Sequence, residues 1–297
     1  MVRRLNGRYS WPVLFTAAVV LACAGVAAGQ QFQYTTIWVP GSIDTIVYGV
    51  NDTNVSVGTY ETPEGAEYGF IRTGQTITNL QYPGEETTIP FDVNNAGEVV
   101  GEYPDAASHF HAFLYANATY TNIDPPGAVE AAASGINNVG QIVGEYSIVG
   151  QQQGFILDAG SYQFLSVPGS ALTTWAGGIN DSGQVTLQWV YAESNTTQSS
   201  LYDGSNYTQI EVPGAYNVFA YAINNRGSIA ITWQDDDLFN YCALRAQGPG
   251  GYIYPSLDVP GSEGGTTLCY GLNNKSDAVG RYTSTKAILA FGARPSS

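Results

Sequence analysis

The chain has 297 residues, with 25 acidic against 10 basic side chains and a net charge of −15 at neutral pH. Only two of its basic residues are lysines, and they do not form a basic stripe. This charge balance excludes a nucleic-acid partner, because binding to a phosphate backbone needs a clustered basic surface. Few charges with abundant Gly, Asn, Thr and Tyr are typical of an exported all-β protein.

Residues 1–29 have the pattern of a secretory signal peptide. An apolar run begins at Trp11, and small residues then offer a cleavage site after Ala28 or Gly29. The positive start before this run consists of Arg3, Arg4 and Arg8. No later stretch approaches the ~20 apolar residues of a membrane span, so no transmembrane segment is expected after cleavage. The sequence therefore predicts a protein in the periplasm or outside the cell.

A bacterial lipoprotein is the alternative for this segment. Cys23 follows Val20-Leu21-Ala22, which roughly resembles a lipoprotein cleavage site, although Leu21 is bulky for its position. We favour free secretion over lipid anchoring at Cys23.

Residues 30–297 are predicted to form one domain of six repeats of about 44 residues. A Pro-Gly pair opens each repeat, at Pro40-Gly41, Pro83-Gly84, Pro126-Gly127, Pro168-Gly169, Pro213-Gly214 and Pro260-Gly261. An asparagine follows each pair after 11 to 13 residues, at Asn51, Asn94, Asn137, Asn180, Asn224 and Asn273. A period in the low-to-mid forties is typical of propeller blades or a solenoid.

Each repeat contains the signals of four short strands. The first ends at an aliphatic residue before the asparagine, and the asparagine opens a hairpin turn with Gly three positions on in four copies. The second runs to an aromatic residue nine positions after the asparagine. A third strand and a fourth follow, and Pro-Gly then breaks the ladder in a type II turn.

The two ends of the domain favour a closed ring over a solenoid. The chain begins with a lone fourth strand, residues 34–39, and stops after a third strand near Ala287 to Phe291. Docking one on the other removes two exposed sheet edges at once. We therefore predict an all-β, six-bladed β-propeller of four-stranded antiparallel blades. The N-terminal strand closes its last blade, and the first strand of each blade is innermost.

The repeat resembles the HAF repeat family of bacterial extracellular proteins. His111-Ala112-Phe113 has the tripeptide that names the family, and Ile136 to Gly144 reads Ile-Asn-Asn-x-Gly-x-Ile-Val-Gly. The likeness spans about residues 32–292, although the tripeptide occurs once and the fourth and fifth repeats match less well. The resemblance implies secretion and a propeller-like repeat, but no established activity.

Two sets of side chains near the end of the second strand are candidates for function. The aromatic set is a stacking platform for sugars or, alternatively, blade packing: Tyr60, Tyr103, Tyr146, Trp189, Trp233 and Tyr282. The set one residue earlier points to the other face: Thr59, Glu102, Glu145, Gln188, Thr232 and Arg281. Within it, Glu102, Glu145 and Arg281 are the catalytic candidates, since two carboxylates in a cleft supply acid and base. The alternative is a ring of solvated strand ends.

Metal binding has only weak candidates. Asp235, Asp236 and Asp237 form an acidic run between two strands and are the candidate site for Ca²⁺, although they lack alternate-residue ligand spacing. His109 and His111 share one face of a strand, without an evident third ligand. No other cofactor is predicted.

Two cysteines remain after cleavage. Export permits a disulfide, but Cys242 falls on a third strand and Cys269 on an innermost strand of the next blade. Because of this placement, we expect a pair of free thiols to be favoured over a disulfide.

These patterns favour a secreted, non-catalytic, monomeric propeller that binds a polysaccharide or an envelope protein. The alternative is a carbohydrate-active hydrolase or lyase that uses Glu102 and Glu145 on one face of the ring. A purely structural envelope component is a third possibility.

Overall fold

The computed structural model describes residues 31–149, 151–168, 173–191, 194–284 and 287–296. They form 24 strands in six four-stranded sheets, with no helix in these ranges. The predicted signal peptide, including Cys23, lies outside the described residues. No helix that is long and apolar enough to span a membrane occurs in the described part of the chain. The six-bladed propeller is confirmed.

In five blades the four strands follow one another outward from the axis in chain order, and in the sixth the outermost strand comes from the N-terminus. The innermost strands are β2 (Asp44–Val50), β6 (Ile89–Val93), β10 (Glu130–Ile136), β14 (Thr174–Ile179), β18 (Asn217–Ile223) and β22 (Leu268–Leu272). The second strands are β3 (Val55–Glu61), β7 (Val99–Pro104), β11 (Ile142–Ile148), β15 (Val185–Val190), β19 (Ile229–Gln234) and β23 (Ala278–Ser284).

The third and fourth strands complete the blades. The third strands are β4 (Glu67–Thr73), β8 (Phe110–Ala116), β12 (Gln151–Asp158), β16 (Thr197–Tyr202), β20 (Asn240–Gly248) and β24 (Ala287–Pro295). The fourth strands are β5 (Thr76–Leu80), β9 (Thr119–Asn122), β13 (Ser161–Leu165), β17 (Tyr207–Ile210), β21 (Gly251–Ile253) and, from the N-terminus, β1 (Phe32–Ile37).

The N-terminal strand closes the ring as predicted. β1 pairs antiparallel with β24, from Phe32 opposite Pro295 to Ile37 opposite Ala290. Ile37 and Val39 are buried in a core cluster with Phe70 of the first blade, so this segment also seals the seam between the two ends of the chain. Closure leaves no unpaired third strand at the edge of the last blade.

The phenylalanine of the His-Ala-Phe pattern is a core residue. Phe113 and its equivalents Phe70, Phe155 and Phe291 are among the most deeply buried side chains. Full burial of such a side chain stabilises the fold by about 2–3 kcal/mol. The phenylalanine at this position therefore serves packing between sheets, and its recurrence in four blades does not define a binding site.

Two closed rings of hydrogen bonds join the six turns. Each turn asparagine donates from Nδ2 to the backbone oxygen of the equivalent asparagine in the next blade, from Asn51 to Asn94 and finally from Asn273 back to Asn51. The next residue in each turn donates its backbone N–H to a side-chain oxygen of its counterpart, so that Asn274 returns to Asp52. The asparagines are buried. The repeated asparagine thus holds neighbouring blades together as well as shaping its own turn.

The expectation about the cysteines was wrong. Cys242 and Cys269 form a disulfide, with Cα atoms 5.6 Å apart. The blades are twisted, so the innermost strand of one blade packs on the second and third strands of the blade before it, and β22 meets β20 in this way. A third strand and the next innermost strand are therefore neighbours, which the chain order alone does not indicate.

We expect the paired variant Cys242→Ala/Cys269→Ala to unfold at lower urea concentration. The disulfide closes a 27-residue separation between two blades, and its loss is expected to cost about 3 kcal/mol. Urea unfolding of the wild type with and without a reductant measures the same quantity. Equal midpoints for the oxidised wild type and the paired variant would contradict a stabilising role.

Candidate axial binding site

A β-bulge in each innermost strand directs one residue toward the propeller axis. The ladder between the first and second strands skips a position near the third residue before the turn asparagine. A bulged residue leaves the regular pairing and its side chain is re-aimed. The six residues at this position are Tyr48, Phe91, Ser134, Gly177, Tyr221 and Tyr270.

All six of these residues line one cavity of about 370 Å³, which we call the axial pocket. Because they come from six different blades, the cavity lies on the axis. The pocket is completed by Glu145, Trp175, Ala176, Gln188, Thr197 and Phe219. A cavity of this size falls in the range of roughly 300–1,000 Å³ that is usual for small-molecule sites.

The wall of the axial pocket is asymmetric. Phe91, Tyr48, Tyr270 and Tyr221 form an arc across four blades, with successive ring centroids 5.4, 5.2 and 5.2 Å apart. The third and fourth blades have Ser134 and Gly177 at the same position, and these small residues leave space beside the arc. A repeated feature serves packing in every blade, whereas this break in the repeat creates a cavity in one sector.

The opposite end of the channel is narrow. The turn residues that make the two hydrogen-bonded rings line a cavity of only about 60 Å³. Asp92 reaches into this region and accepts hydrogen bonds from the backbone of Ile136 and Val93. Burial raises the pKa of Asp92 to about 7, although the two hydrogen bonds oppose this. Space for a ligand therefore lies on the other side of the bulges, in the axial pocket.

The structure brings the two predicted glutamates together. Glu145 lines the axial pocket and accepts a hydrogen bond from Gln152 Nε2 at 3.0 Å. Burial, and secondarily the charge of Glu102, raises the pKa of Glu145 to about 8. Burial, followed by the charges of Glu130 and Glu67, raises the pKa of Glu102 to about 7. The two carboxyl groups thus lie within electrostatic range, and both pKa values are raised toward neutral pH.

Arg281 is half-buried, and Thr59, Thr232 and Gln188 of this set are buried. Burial raises the pKa of the Tyr270 hydroxyl, and the nearby Arg281 opposes this. Its Nε atom is buried without an acceptor. Thr59 and Thr232 are fully buried, and Gln188 donates to the Ala220 backbone. Glu102, Glu145 and Arg281 are half-buried, so this set is not a ring of fully solvated strand ends.

The six aromatic residues at the end of the second strand pack within their blades. Tyr103, Tyr146, Trp189 and Tyr282 are buried, and Tyr60 and Trp233 pack against core clusters. Their polar atoms bond within the fold, as in Trp189 Nε1 to Ser200 Oγ at 3.1 Å. This placement supports the packing alternative, since stacking on a sugar requires an open ring face.

The acidic run and the histidines are part of two similar turns. Asp235 accepts hydrogen bonds from the backbone of Asp237 and Phe239, and Asp236 and Asp237 are exposed. Asp105 has the same role before His109. Within the described ranges, no three His, Cys, Asp or Glu side chains converge as metal ligands.

His111 is held by two carboxylates. Its Nδ1 lies 2.7 Å from Asp124 Oδ2, and its Nε2 lies 3.4 Å from Asp105 Oδ2. Burial lowers the pKa of His111, but the two hydrogen bonds outweigh burial and raise it.

Comparison with known proteins shows the fold but no family. No protein-family model and no curated protein matches the chain in sequence. TolB from Acinetobacter baumannii is similar in structure, with a TM-score of 0.56 and 14% identity over 87% of this chain. The match covers 65% of that chain, so this protein spans less than two thirds of the length of TolB.

Two further propellers are similar over most of their length. AofleA from Arthrobotrys oligospora has a TM-score of 0.53 and 10% identity, over 90% of this chain and 87% of that chain. The β-propeller domain of the Trilobed protease from Pyrococcus furiosus has a TM-score of 0.50 and 10% identity, over 82% of this chain and 78% of that chain. At such identities the likeness shows the fold alone.

The axial pocket is not among the sites predicted from the sequence, apart from Glu145 and Gln188. The repeat register contained the signal, because four aromatic and two small residues share the position three before the asparagine. The opening beside an aromatic arc becomes visible only when all six copies are compared at that position.

Proposed function

We propose that this protein is a secreted binding module that takes a glycan in the axial pocket. The asymmetry of the pocket carries the proposal: an aromatic arc faces an opening at Ser134 and Gly177, and Glu145 and Gln188 lie beside it. Aromatic faces stack on the C–H faces of sugars, and carboxyl and amide groups bond to hydroxyls. Trp175 and Phe219 enlarge the apolar part of the wall.

The cellular location is part of this proposal. The arginines and apolar run of residues 1–29 support secretion, and the resemblance to the HAF repeat family supports an extracellular or periplasmic role. The acidic composition supports a glycan or an envelope protein as partner and not a nucleic acid. The proposal includes a monomer without a metal cofactor.

A hydrolase or lyase acting on the same glycan is the second candidate. The specific observation in its favour is the glutamate pair, in which one carboxyl group raises the pKa of the other. Such coupling provides a proton donor and a carboxylate near neutral pH. Binding is preferred because Glu145 is bonded to Gln152 within the fold, and because the described residues around the pair do not assemble a complete catalytic set.

A screen of residues 30–297 on a polysaccharide panel tests the proposal, with retention and released reducing ends measured together. We expect retention without release. Trp175→Ala is expected to weaken retention about tenfold or more, because a stacking face is worth about 1.5 kcal/mol. The exposed Tyr216, which lies outside the pocket, provides the control Tyr216→Ala.

A second variant separates binding from folding. Ser134→Phe places in the gap the residue type that the second blade has at this position, Phe91, and is expected to fill the pocket and abolish retention. Unchanged retention in both pocket variants would refute the axial site. Released reducing ends that vanish in Glu102→Gln/Glu145→Gln would establish the enzyme instead. A panel with no retention would leave an envelope protein as the partner.

A further inference from the structure

A second cavity, of about 780 Å³, lies at the outer boundary between the fourth and fifth blades. Its wall includes Gln198, Gln209, Glu211, Arg245, Tyr252 and Tyr254. These residues come from β16 and β17 of one blade and from β20, β21 and the segment after β21 of the next. We call this cavity the interblade cleft. It shares no lining residue with the axial pocket.

The local fold explains why a cleft forms at this boundary. β21 has only three residues, whereas the other outer strands have four to six. It pairs with the end of β20, from Ala246 opposite Ile253 to Gly248 opposite Gly251. The outer edge of the fifth blade is therefore incomplete. Tyr254 spans the boundary, since its hydroxyl donates to the Glu211 backbone oxygen at 2.7 Å.

Arg245 is a buried cation that has no counter-charge among the described residues. Its side chain lines the cleft although the residue is only 6% exposed. Its Nε has no hydrogen-bond acceptor, and none of the ion pairs found among the described residues includes Arg245. Its guanidinium lies over the ring of Tyr252, whose centroid is 3.3 Å from Cζ.

This arrangement is suited to a carboxylate. Stacking on Tyr252 uses one face of the guanidinium and leaves its in-plane N–H donors for a bidentate anion. A buried charge without a partner is costly, and a ligand carboxylate would supply the missing partner. Arginine is preferred for such sites because its planar fork matches a carboxylate.

The other polar groups of the cleft define the rest of the ligand. Glu211 is exposed in the cleft and makes no ion pair with Arg245, so its carboxylate is available to accept hydrogen bonds from hydroxyl groups. Gln209 donates to Gln198 at 3.3 Å, and the amide groups retain further donors and acceptors. Tyr252 is 51% exposed and offers ring surface to solvent. A molecule with one carboxylate, several hydroxyls and a C–H face fits this set.

We propose that the interblade cleft binds a uronic acid residue of an acidic saccharide, with its carboxylate on Arg245. The inference does not depend on the axial pocket, and the two sites have separate tests. A neutral sugar lacks the charge that Arg245 requires, and a bare inorganic anion lacks the hydroxyl groups that Glu211 and the glutamines recognise.

Titration calorimetry with short oligomers of galacturonate, glucuronate, mannuronate and guluronate tests the proposal. The neutral control is an oligomer of galactose, which differs from galacturonate by its hydroxymethyl group. About 0.15 M salt screens the negative charge of the chain beyond ~8 Å. We expect at least one uronate oligomer to bind and the galactose oligomer to bind at least tenfold more weakly.

The matched variants are Arg245→Gln and Arg72→Gln. Arg72 occupies the equivalent position in the first blade, since it pairs with Ser56 as Arg245 pairs with Ile229, each five residues after a turn asparagine. We expect Arg245→Gln to weaken uronate binding at least tenfold, whereas Arg72→Gln and Ser134→Phe remain within twofold of wild type. Arg245→Lys, which keeps the charge but lacks the fork, is expected to be intermediate.

Three results would overturn the inference: no uronate binds the wild type, Arg245→Gln binds as the wild type does, or Arg72→Gln loses as much affinity. Thermal unfolding checks the fold of each variant. If Arg245→Gln does not fold, Arg245→Lys provides the comparison, and uronate binding equal to that of the wild type would then overturn the inference. Loss of uronate binding in Ser134→Phe would place the acidic saccharide in the axial pocket and remove the need for a second site.

Discussion

Asn137→Ala is expected to lower the free energy of unfolding by about 3 kcal/mol. Asn137 donates from Nδ2 to the Asn180 backbone oxygen at 3.0 Å and to Gln141 Oε1 at 2.8 Å. Its Oδ1 accepts from the backbone of Val139 and Gln141. The residue is buried, so alanine leaves several polar groups without partners, at about 1 kcal/mol or more each. Urea unfolding followed by circular dichroism measures the loss.

Asn138→Ala is the matched control for this ring. Asn138 is the next residue in the same turn and also bonds to the neighbouring blade, but it is exposed and water can replace its partners. We expect Asn138→Ala to lower the free energy of unfolding by no more than about 1 kcal/mol. Equal losses for the two variants would show that burial of the first ring does not govern blade-to-blade stability.

Removing the charge of Glu145 is expected to stabilise the protein at high pH and to leave it unchanged at low pH. The pKa of this group is about 8 in the fold against an ordinary 4.5. Below pH 4.5 the carboxyl is protonated in both the folded and the unfolded chain, so it contributes no difference. Between pH 4.5 and 8 the unfolded chain ionises first, and the stability of the wild type falls as the pH rises.

Glu145→Gln should therefore exceed the wild type by about 2–3 kcal/mol at pH 8.5. One pKa unit corresponds to about 1.4 kcal/mol, and water in the axial pocket reduces the full value. Glutamine can still accept the hydrogen bond of Gln152. Glu102→Gln is expected to act in the same direction over pH 4.5 to 7, since its pKa is about 7.

Urea unfolding at pH 4 and pH 8.5 provides the measurement for the glutamate variants. The exposed Glu64, which lies outside the axial pocket, supplies the control Glu64→Gln. A wild-type protein that becomes more stable between pH 5 and 8, with Glu145→Gln following the same curve, would show that Glu145 is ionised in the fold.

The repeat made most of the fold predictable from the sequence. Turn chemistry identified the hairpins, because the residue three after each asparagine has a positive φ even where Asn54 and Ser276 replace glycine. The unmatched strands at the two ends predicted closure, which β1 and β24 confirm. These features depend on short sequence patterns or on the number of strands at each end of the domain, so a single sequence is sufficient to detect them.

Contacts between blades were harder to predict from the sequence. The Cys242–Cys269 disulfide depends on how the twist of one sheet brings its third strand beneath the next innermost strand. The axial pocket depends on bulges that turn one residue of each innermost strand toward the axis. The pattern places Glu102 and Glu145 in adjacent blades, but their burial and coupling arise from packing that no spacing in the sequence encodes.

The ring of buried asparagines has a direction. Every asparagine gives its amide to the blade that follows and provides its carbonyl to the blade before, and Asn273 completes the circuit at Asn51 across 222 residues of chain. An open arc of the same blades would leave one amide donor and one backbone acceptor without their partners, at the two blades that flank the opening. A change in the number of blades therefore keeps every asparagine paired only if the ring closes again. The full pairing of the turn asparagines thus depends on a closed ring of blades.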